Sequence, residues 1–279
     1  MAIAEDVGDG DITTFATVAA GVDASARILA REPIVCAGTP LFGALVAAFV
    51  ARVREAEEAA SLQMVSAAQD GARLGFLEPL CSVRGTARAL LTIERCLLNL
   101  LARLCGIATL TASFVDRVNA INPECRVLDT RKTVPGWRVL DKYAVRCGGG
   151  HNHRFGLYDA ILIKDNHVVA AGGLEAAVNA ALATAPAGVE MEVECDDLEQ
   201  VERALALGAK RILLDNFSPR SVREAVDLVR GRARVEVSGG VSLENVCEFV
   251  LAGADDISVG RLTHSAPAAD LSMELEPFA

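Results

Sequence analysis

Aromatic residues make up only 4% of this 279-residue chain, with one tryptophan and two tyrosines. So sparse a set offers no stacking platform of the kind single-stranded nucleic acids need. Cysteine motifs are missing too: the eight cysteines, at 36, 81, 96, 105, 125, 147, 195 and 247, are never closer than nine residues apart. Without a C-x-x-C pair the spacing matches no zinc site, and they read as reduced thiols used in packing. Residues 1–6 are acidic and lack a basic stretch leading into an apolar one, so no signal peptide is expected. The longest apolar run, residues 41–51, is about half a membrane span. These absences predict a soluble, cytoplasmic protein with no membrane partner. Cations are in deficit as well: 27 Lys+Arg face 37 Asp+Glu, a formal net charge of −10. That balance argues against a nucleic-acid partner unless basic residues are locally concentrated.

What the chain has in quantity is aliphatic: 52% of residues are hydrophobic. At roughly 300 residues a chain buries about 75% of its unfolded surface, so the core needs no staples. Residues 26–36 read as strand and turn, 38–60 as an Ala-rich helical stretch, and 62–92 as short strands broken at Asp70-Gly71, Pro79 and Gly85. That order suggests a small α+β domain. Ile93, Leu97, Leu100, Leu101 and Leu104 then recur at helical spacing within 92–118, predicting a long bridging helix interrupted at Gly106. After residue 125 a unit repeats. Strands are predicted at 126–129, 160–164, 189–194, 211–215, 234–238 and 256–260, with helices at 171–185, 197–208, 219–230 and 242–252. The later strand ends recur every 21 to 23 residues, the mark of parallel β/α units. About 160 residues is short of the roughly 250 of a full eight-fold barrel, so an open or reduced barrel is expected.

Lys164, Glu194, Asp215 and Ser238 each close a predicted strand. In β/α barrels chemistry is assembled on that rim. Residues 129–167 carry seven Lys+Arg against four Asp, a balance of +3 inside a −10 molecule, with three of the four histidines. Cationic charge focused on a rim suits a small, multiply anionic ligand. Arginine pairs bidentately with carboxylates, and lysine serves phosphate as a point charge. Glu194 and Asp215, on adjacent strands, are two hard oxygen donors, enough for Mg2+ when waters and phosphates fill its other positions. The competing assignment is a rim salt bridge to Lys132 or Lys164. His151 and His153 form a His-x-His pair without a third ligand at metal spacing. Gly148-Gly149-Gly150 is no dinucleotide fingerprint, because His153 stands where the last glycine belongs. Ser238-Gly239-Gly240 and Val259-Gly260 each follow a strand, where small residues let backbone N–H groups approach phosphate.

Three blocks, Asp129-Thr130-Arg131-Lys132-Thr133-Val134-Pro135-Gly136, residues 142–154, and Leu162-Ile163-Lys164-Asp165-Asn166-His167, resemble the quinolinate phosphoribosyltransferase family. The likeness extends to residues 5–13, Glu94-Arg95, Leu214-Asp215-Asn216-Phe217, residues 236–240 and residues 256–260. It implies an N-terminal α/β sandwich (1–106, with the tail 268–279 packing back on it) and an open, roughly seven-stranded α/β barrel (107–267). It also implies a reaction: quinolinate and phosphoribosyl pyrophosphate give nicotinate mononucleotide, pyrophosphate and CO2, with Mg2+. By this resemblance Arg131, His153, Arg154 and Lys164 meet the quinolinate carboxylates, joined by Arg95 from the neighbouring subunit of a homodimer or higher oligomer. Lys132, Glu194 and Asp215 face the ribose, pyrophosphate and metal, and Thr133 is a further substrate-binding residue. Ser238, Gly239, Gly240 and Gly260 hold the 5′-phosphate, and Val259 and Arg261 are further substrate-binding residues. Lys132, Lys164, Glu194 and Asp215 are the catalytic group, and Glu194 and Asp215 the metal ligands.

The chain departs from the family pattern in two places. Family members usually carry more residues ahead of Glu5-Asp6, so a truncated start is one reading, and Leu77 replaces a common glycine. A related branch associated with molybdenum transport shares many of these motifs and is the alternative for substrate; Lys164-Asp165-Asn166-His167 favours the quinolinate branch. A barrel aldolase with Lys164 as Schiff-base amine would be trapped by borohydride. A metabolite-binding protein that kept the pocket and lost turnover would bind without forming product.

Overall fold

The computed structural model describes residues 2–53, 56–186 and 188–277. The chain divides into two compact units: one runs to Leu110 and takes in the segment from Ala266 onward, the other is Thr111–Ser265. The first unit contains β1 (Asp23–Ala30), β2 (Ile34–Val35), β3 (Gln63–Ala67), β4 (Arg73–Leu74) and β5 (Pro79–Thr86). The second contains β6 (Arg126–Leu128), β7 (Ile161–Ile163), β8 (Met191–Cys195), β9 (Arg211–Asp215), β10 (Arg234–Ser238) and β11 (Asp256–Ser258). A last strand, β12 (Leu271–Pro277), belongs to the first unit.

In the first unit an antiparallel sheet runs β12-β1-β5-β3, with Ala30 opposite Leu271 and Ala24 opposite Pro277. Ala24, Ala26 and Ile28 on β1 are fully buried, as alternation requires of a sheet with one covered face. Leu90, Ile93, Leu97 and Leu101 of the helix Ala87–Asn119 share that core with Leu80 and Val83. By length and hydropathy this helix could cross a membrane, but its apolar stripe lies in the core and it reads as the core helix of a soluble α/β protein. The expected interruption at Gly106 is absent: the helix is continuous for 33 residues. The glycine serves close approach instead, since a Cβ there would lie 2.0 Å from the Pro267 carbonyl oxygen. Pro79 and Gly85, expected as breaks, lie within β5; proline is tolerated there as the strand's first residue. Leu77 adopts φ +64°, a left-handed conformation that costs a branched side chain about 1–2 kcal/mol, which accounts for the glycine of the family pattern.

In the second unit all neighbouring strands are parallel, in the order β6-β11-β10-β9-β8-β7. Leu128 and His151 form a parallel bridge beyond β6, so the sheet ends there and at β7 and is open. Helices follow the strands: Arg138–Cys147, Leu174–Thr184, Leu198–Ala206, Pro219–Val229 and Val246–Ala252. Their starts are encoded locally. Asp197 accepts from Gln200 N at 2.8 Å, and Ser218 accepts from Ser221 N at 3.1 Å ahead of Pro219. A further helix, Asp165–Ala171, was not expected; it begins at the rim itself. Val193, Ile212, Leu214, Val235, Val237 and Ile257 are nearly fully buried, as in parallel strands covered on both faces.

Candidate active site

The strand ends bring the rim residues together as their spacing implied. Lys164 follows β7, Glu194 is penultimate in β8, and Asp215 and Ser238 end β9 and β10 directly opposite each other. Glu194 pairs with Leu213, so Asp215 lies two residues farther along β9, on the same face. The Lys164 ammonium donates to Glu194 Oε2, the salt bridge that competed with the metal assignment. Lys164 is held by its own helix start: its backbone N–H donates to His167 Nδ1 at 3.0 Å. Asp215 accepts from Asn216 Nδ2 at 2.7 Å.

The two glycine sites are built for close approach. Gly239 has φ +89°, and a Cβ there would lie 2.2 Å from Asn216 Oδ1. A Cβ at Gly260 would lie 3.2 Å from Lys132 Cδ, so the Lys132 side chain runs along the β11 loop. Thr263 Oγ1 donates to the Lys132 carbonyl at 2.9 Å and fixes that contact. Thr133 accepts from Arg138 Nε at 3.1 Å through Oγ1. Val259 is buried, and its N–H donates to the Leu128 carbonyl at 2.9 Å, leaving it no free donor for a ligand. Arg261 is exposed on the short helix Arg261–His264. Arg95 is exposed on the long helix of the other unit, beside Asp6 and Asp11.

Arg131 and Arg154 are half-buried, and Arg131 Nε is buried with no acceptor. Burial, followed by the nearby Arg131 charge, holds the Arg154 guanidinium below its ordinary pKa. Two cations so placed make a socket for anionic oxygens.

His153 engages two carboxylates of the sheet. Its ring faces the sheet interior, with Nε2 2.9 Å from Glu192 and 3.5 Å from Glu236. Burial opposes its protonation, but the hydrogen bond to Glu192 and the Glu236 charge outweigh that and raise its pKa. Burial and the Glu192 charge push Glu236 up to about 8. Arg211 lies 3.5 Å from Glu192 and 3.1 Å from Glu236. His153, Glu192 and Glu236 have the donor spacing of a cation site, but Arg211 already supplies the positive charge there. Beneath them the fully buried Asp256 accepts from Arg126, Arg234 and Arg211, and the first two arginines overcome burial to hold its pKa at about 2.

A second buried pair sits behind the arginines. Lys142, 1% exposed, donates to Asp129, 0% exposed, and to the His153 carbonyl at 3.0 Å. Asp129 also accepts from the His153 N–H at 3.0 Å and from Asn152 Nδ2. Burial pushes the Asp129 carboxyl up, with Lys142 opposing. Reading the rim alone missed Glu192, Glu236, Arg211 and Asp256. Their signal was charge at alternate positions of otherwise apolar strands, as in Met191-Glu192-Val193-Glu194, which marks a polar sheet interior.

Two family models match the chain: the quinolinate phosphoribosyl transferase N-terminal domain over residues 11–105 and its C-terminal domain over residues 107–274. A nicotinate-nucleotide pyrophosphorylase (carboxylating) of Mycobacterium leprae is 44% identical over 98% of this chain and 94% of its own. The human protein of that name is 37% identical over 94% of this chain and 86% of its own. Among solved structures, the nicotinate-nucleotide pyrophosphorylase from Francisella tularensis superposes with a TM-score of 0.89 at 35% identity, covering 98% of this chain and 93% of that one.

Proposed function

This chain belongs to the quinolinate phosphoribosyl transferase family, and from that membership we infer that it transfers the phosphoribosyl group of phosphoribosyl pyrophosphate to quinolinate with decarboxylation. The products are nicotinate mononucleotide, pyrophosphate and CO2, which makes it a pentosyltransferase of NAD biosynthesis. The observation that carries the reading is the charge of the rim: the cations Arg131, Arg154 and Lys164, the carboxylates Glu194 and Asp215 on adjacent strand ends, and glycine loops after β10 and β11. A dicarboxylate suits the first group and a phosphorylated sugar the other two.

Each step follows from those charges. Arg131, Arg154 and Lys164 bind the quinolinate carboxylates and present the ring nitrogen, which carries no proton and needs no base. That nitrogen bonds to the anomeric carbon as the carbon–pyrophosphate bond breaks. Glu194 and Asp215 stabilise the positive charge that develops on the ribose. Lys132, lying along Gly260, opposes the charge on the departing phosphates. The alkylated ring is cationic, so the adjacent carboxylate leaves as CO2, its electron pair stays on the ring carbon, and a proton from solvent takes its place. Glu192 favours protonation of His153, which in that form acts from below as a positive charge toward the bound dicarboxylate.

Glu194 and Asp215, on adjacent strand ends, would hold Mg2+ as hard carboxylate donors once Lys164 turns from Glu194 to the quinolinate carboxylate. When bound, the ion would neutralise charge on the leaving pyrophosphate. Arg95 of a second copy would complete the site in a homodimer, a role suited to an exposed cation next to the Asp6–Asp11 segment. The setting is the cytoplasm. Mixing the protein with quinolinate, phosphoribosyl pyrophosphate and Mg2+ should release pyrophosphate and CO2 in equal amounts. Nicotinate in place of quinolinate should release neither, and turnover of nicotinate would refute the carboxylating reading.

A further inference from the structure

Arg131 and Arg154 reach the rim from separate segments, one after β6 and one after the His151 bridge. They are like charges in proximity, and Arg131 lowers the proton affinity of Arg154. The Arg154 tip donates to the Ala160 carbonyl at 3.3 Å and faces Asp159, Glu192 and Glu194, whereas the spacing of the two backbone segments that carry the arginines depends on an anchor behind them. Asp129 is bonded to both sides of that junction. It lies two residues before Arg131, accepts the His153 N–H and the Asn152 amide, and is bonded to Lys142. Lys142 in turn donates to the His153 carbonyl at 3.0 Å, and its own carbonyl accepts from Asn152 Nδ2 at 2.9 Å. The pair is buried, where an ion pair adds little stability over apolar residues of the same shape, so stability alone does not account for it.

We propose that Lys142, acting through Asp129, is a positioning residue that fixes the separation of the Arg131 and Arg154 guanidinium groups and makes the site selective for a dicarboxylate over a monocarboxylate. The proposal rests on the quinolinate reading above. Preorganised donors bind a matching dianion without first being drawn together. A monocarboxylate engages one arginine and gains little from the spacing. Lys132, on the same loop, has a separate tie to Thr263, so phosphoribosyl pyrophosphate binding is insulated from the pair.

The test is the double variant Asp129→Asn/Lys142→Met, which removes both charges together and leaves neither buried alone. By titration calorimetry, quinolinate affinity should fall about 10- to 100-fold and the quinolinate-to-nicotinate affinity ratio at least tenfold. Phosphoribosyl pyrophosphate affinity should stay within threefold. Should the double variant not fold, Asn152→Ala strands no charge and should lower quinolinate affinity about 3- to 10-fold with the same selectivity loss. Lys142→Arg, which keeps the charge, should lose less quinolinate affinity than the double variant. Equal losses for both substrates, or an unchanged quinolinate-to-nicotinate ratio, would overturn the proposal. Wild-type protein that binds quinolinate selectively but forms no product would overturn the proposed reaction and not the positioning role; wild-type protein that does not bind quinolinate would overturn both.

Discussion

Replacing Lys164 with methionine separates catalytic from structural worth at the rim. The Lys164 side chain is 43% exposed and that of Glu194 10%, so solvent screens the ion pair from the lysine side and reaches the carboxylate once the lysine is removed. Pairs of that kind contribute about 0–1 kcal/mol to stability. A charge-assisted hydrogen bond from the same ammonium to a substrate carboxylate is worth about 1.5–3 kcal/mol. At about 1.4 kcal/mol per factor of ten, that is a loss of roughly 10- to 150-fold in kcat/KM for quinolinate. Lys164→Met should therefore melt within a few degrees of wild type while losing most of its quinolinate efficiency. Phosphoribosyl pyrophosphate KM should change less than threefold. The assay is steady-state pyrophosphate release with each substrate varied in turn, run beside thermal unfolding. Equal losses for the two substrates, or a large drop in melting temperature with quinolinate kinetics intact, would refute the reasoning.

Asp256→Asn leaves Arg126, Arg211 and Arg234 without their shared anion; two of them are about a third exposed and Arg211 keeps Glu192 and Glu236, so the cost should be about 1.5–3 kcal/mol, read by urea unfolding. In wild type the Asp256 carboxyl is depressed to about 2, so its stabilisation is complete above the unfolded value of 3.8 and is lost as pH falls through 2. The acid limb of a stability–pH profile should accordingly shrink in the variant. Glu236 has the opposite sign: its pKa is raised to about 8, so stability present below 4.5 is lost as pH rises toward 8. Glu236→Gln should flatten that slope between pH 5 and 8 in unfolding measured at several pH values. Leu77→Gly relieves a left-handed φ at a side chain that is 45% exposed, and should raise the melting temperature by about 2 °C.

Much of the second unit was legible because parallel strands covered on both faces read as short apolar runs, and each closes on a polar residue. That pattern located β9 and β10 to the residue and set Lys164, Glu194, Asp215 and Ser238 at strand ends. The Gly106 expectation failed because a glycine serves equally as a helix break and as a place where another chain segment passes close; only the position of Pro267 distinguishes the two. His153 stood out in the sequence within the cationic segment, but the direction of its ring was not legible. That direction depends on Glu192 and Glu236, 39 and 83 residues away in sequence, and on the cost of leaving carboxylates buried without partners.

The sequence by itself determined the β/α repeat, the cationic segment of +3 within a −10 chain, and the polar residues that close the strands. Those are properties of local spacing and composition, which periodicity and charge counting reach directly. Only the tertiary structure decided that Lys164 bonds Glu194, that Asp129 and Lys142 join the two arginine segments, and that the returning tail pairs with β1 in the register Ala30 to Leu271. Such pairings join residues far apart along the chain. They are selected by burial, register and the need to satisfy every enclosed charge, and none of those conditions exists until the strands are in place.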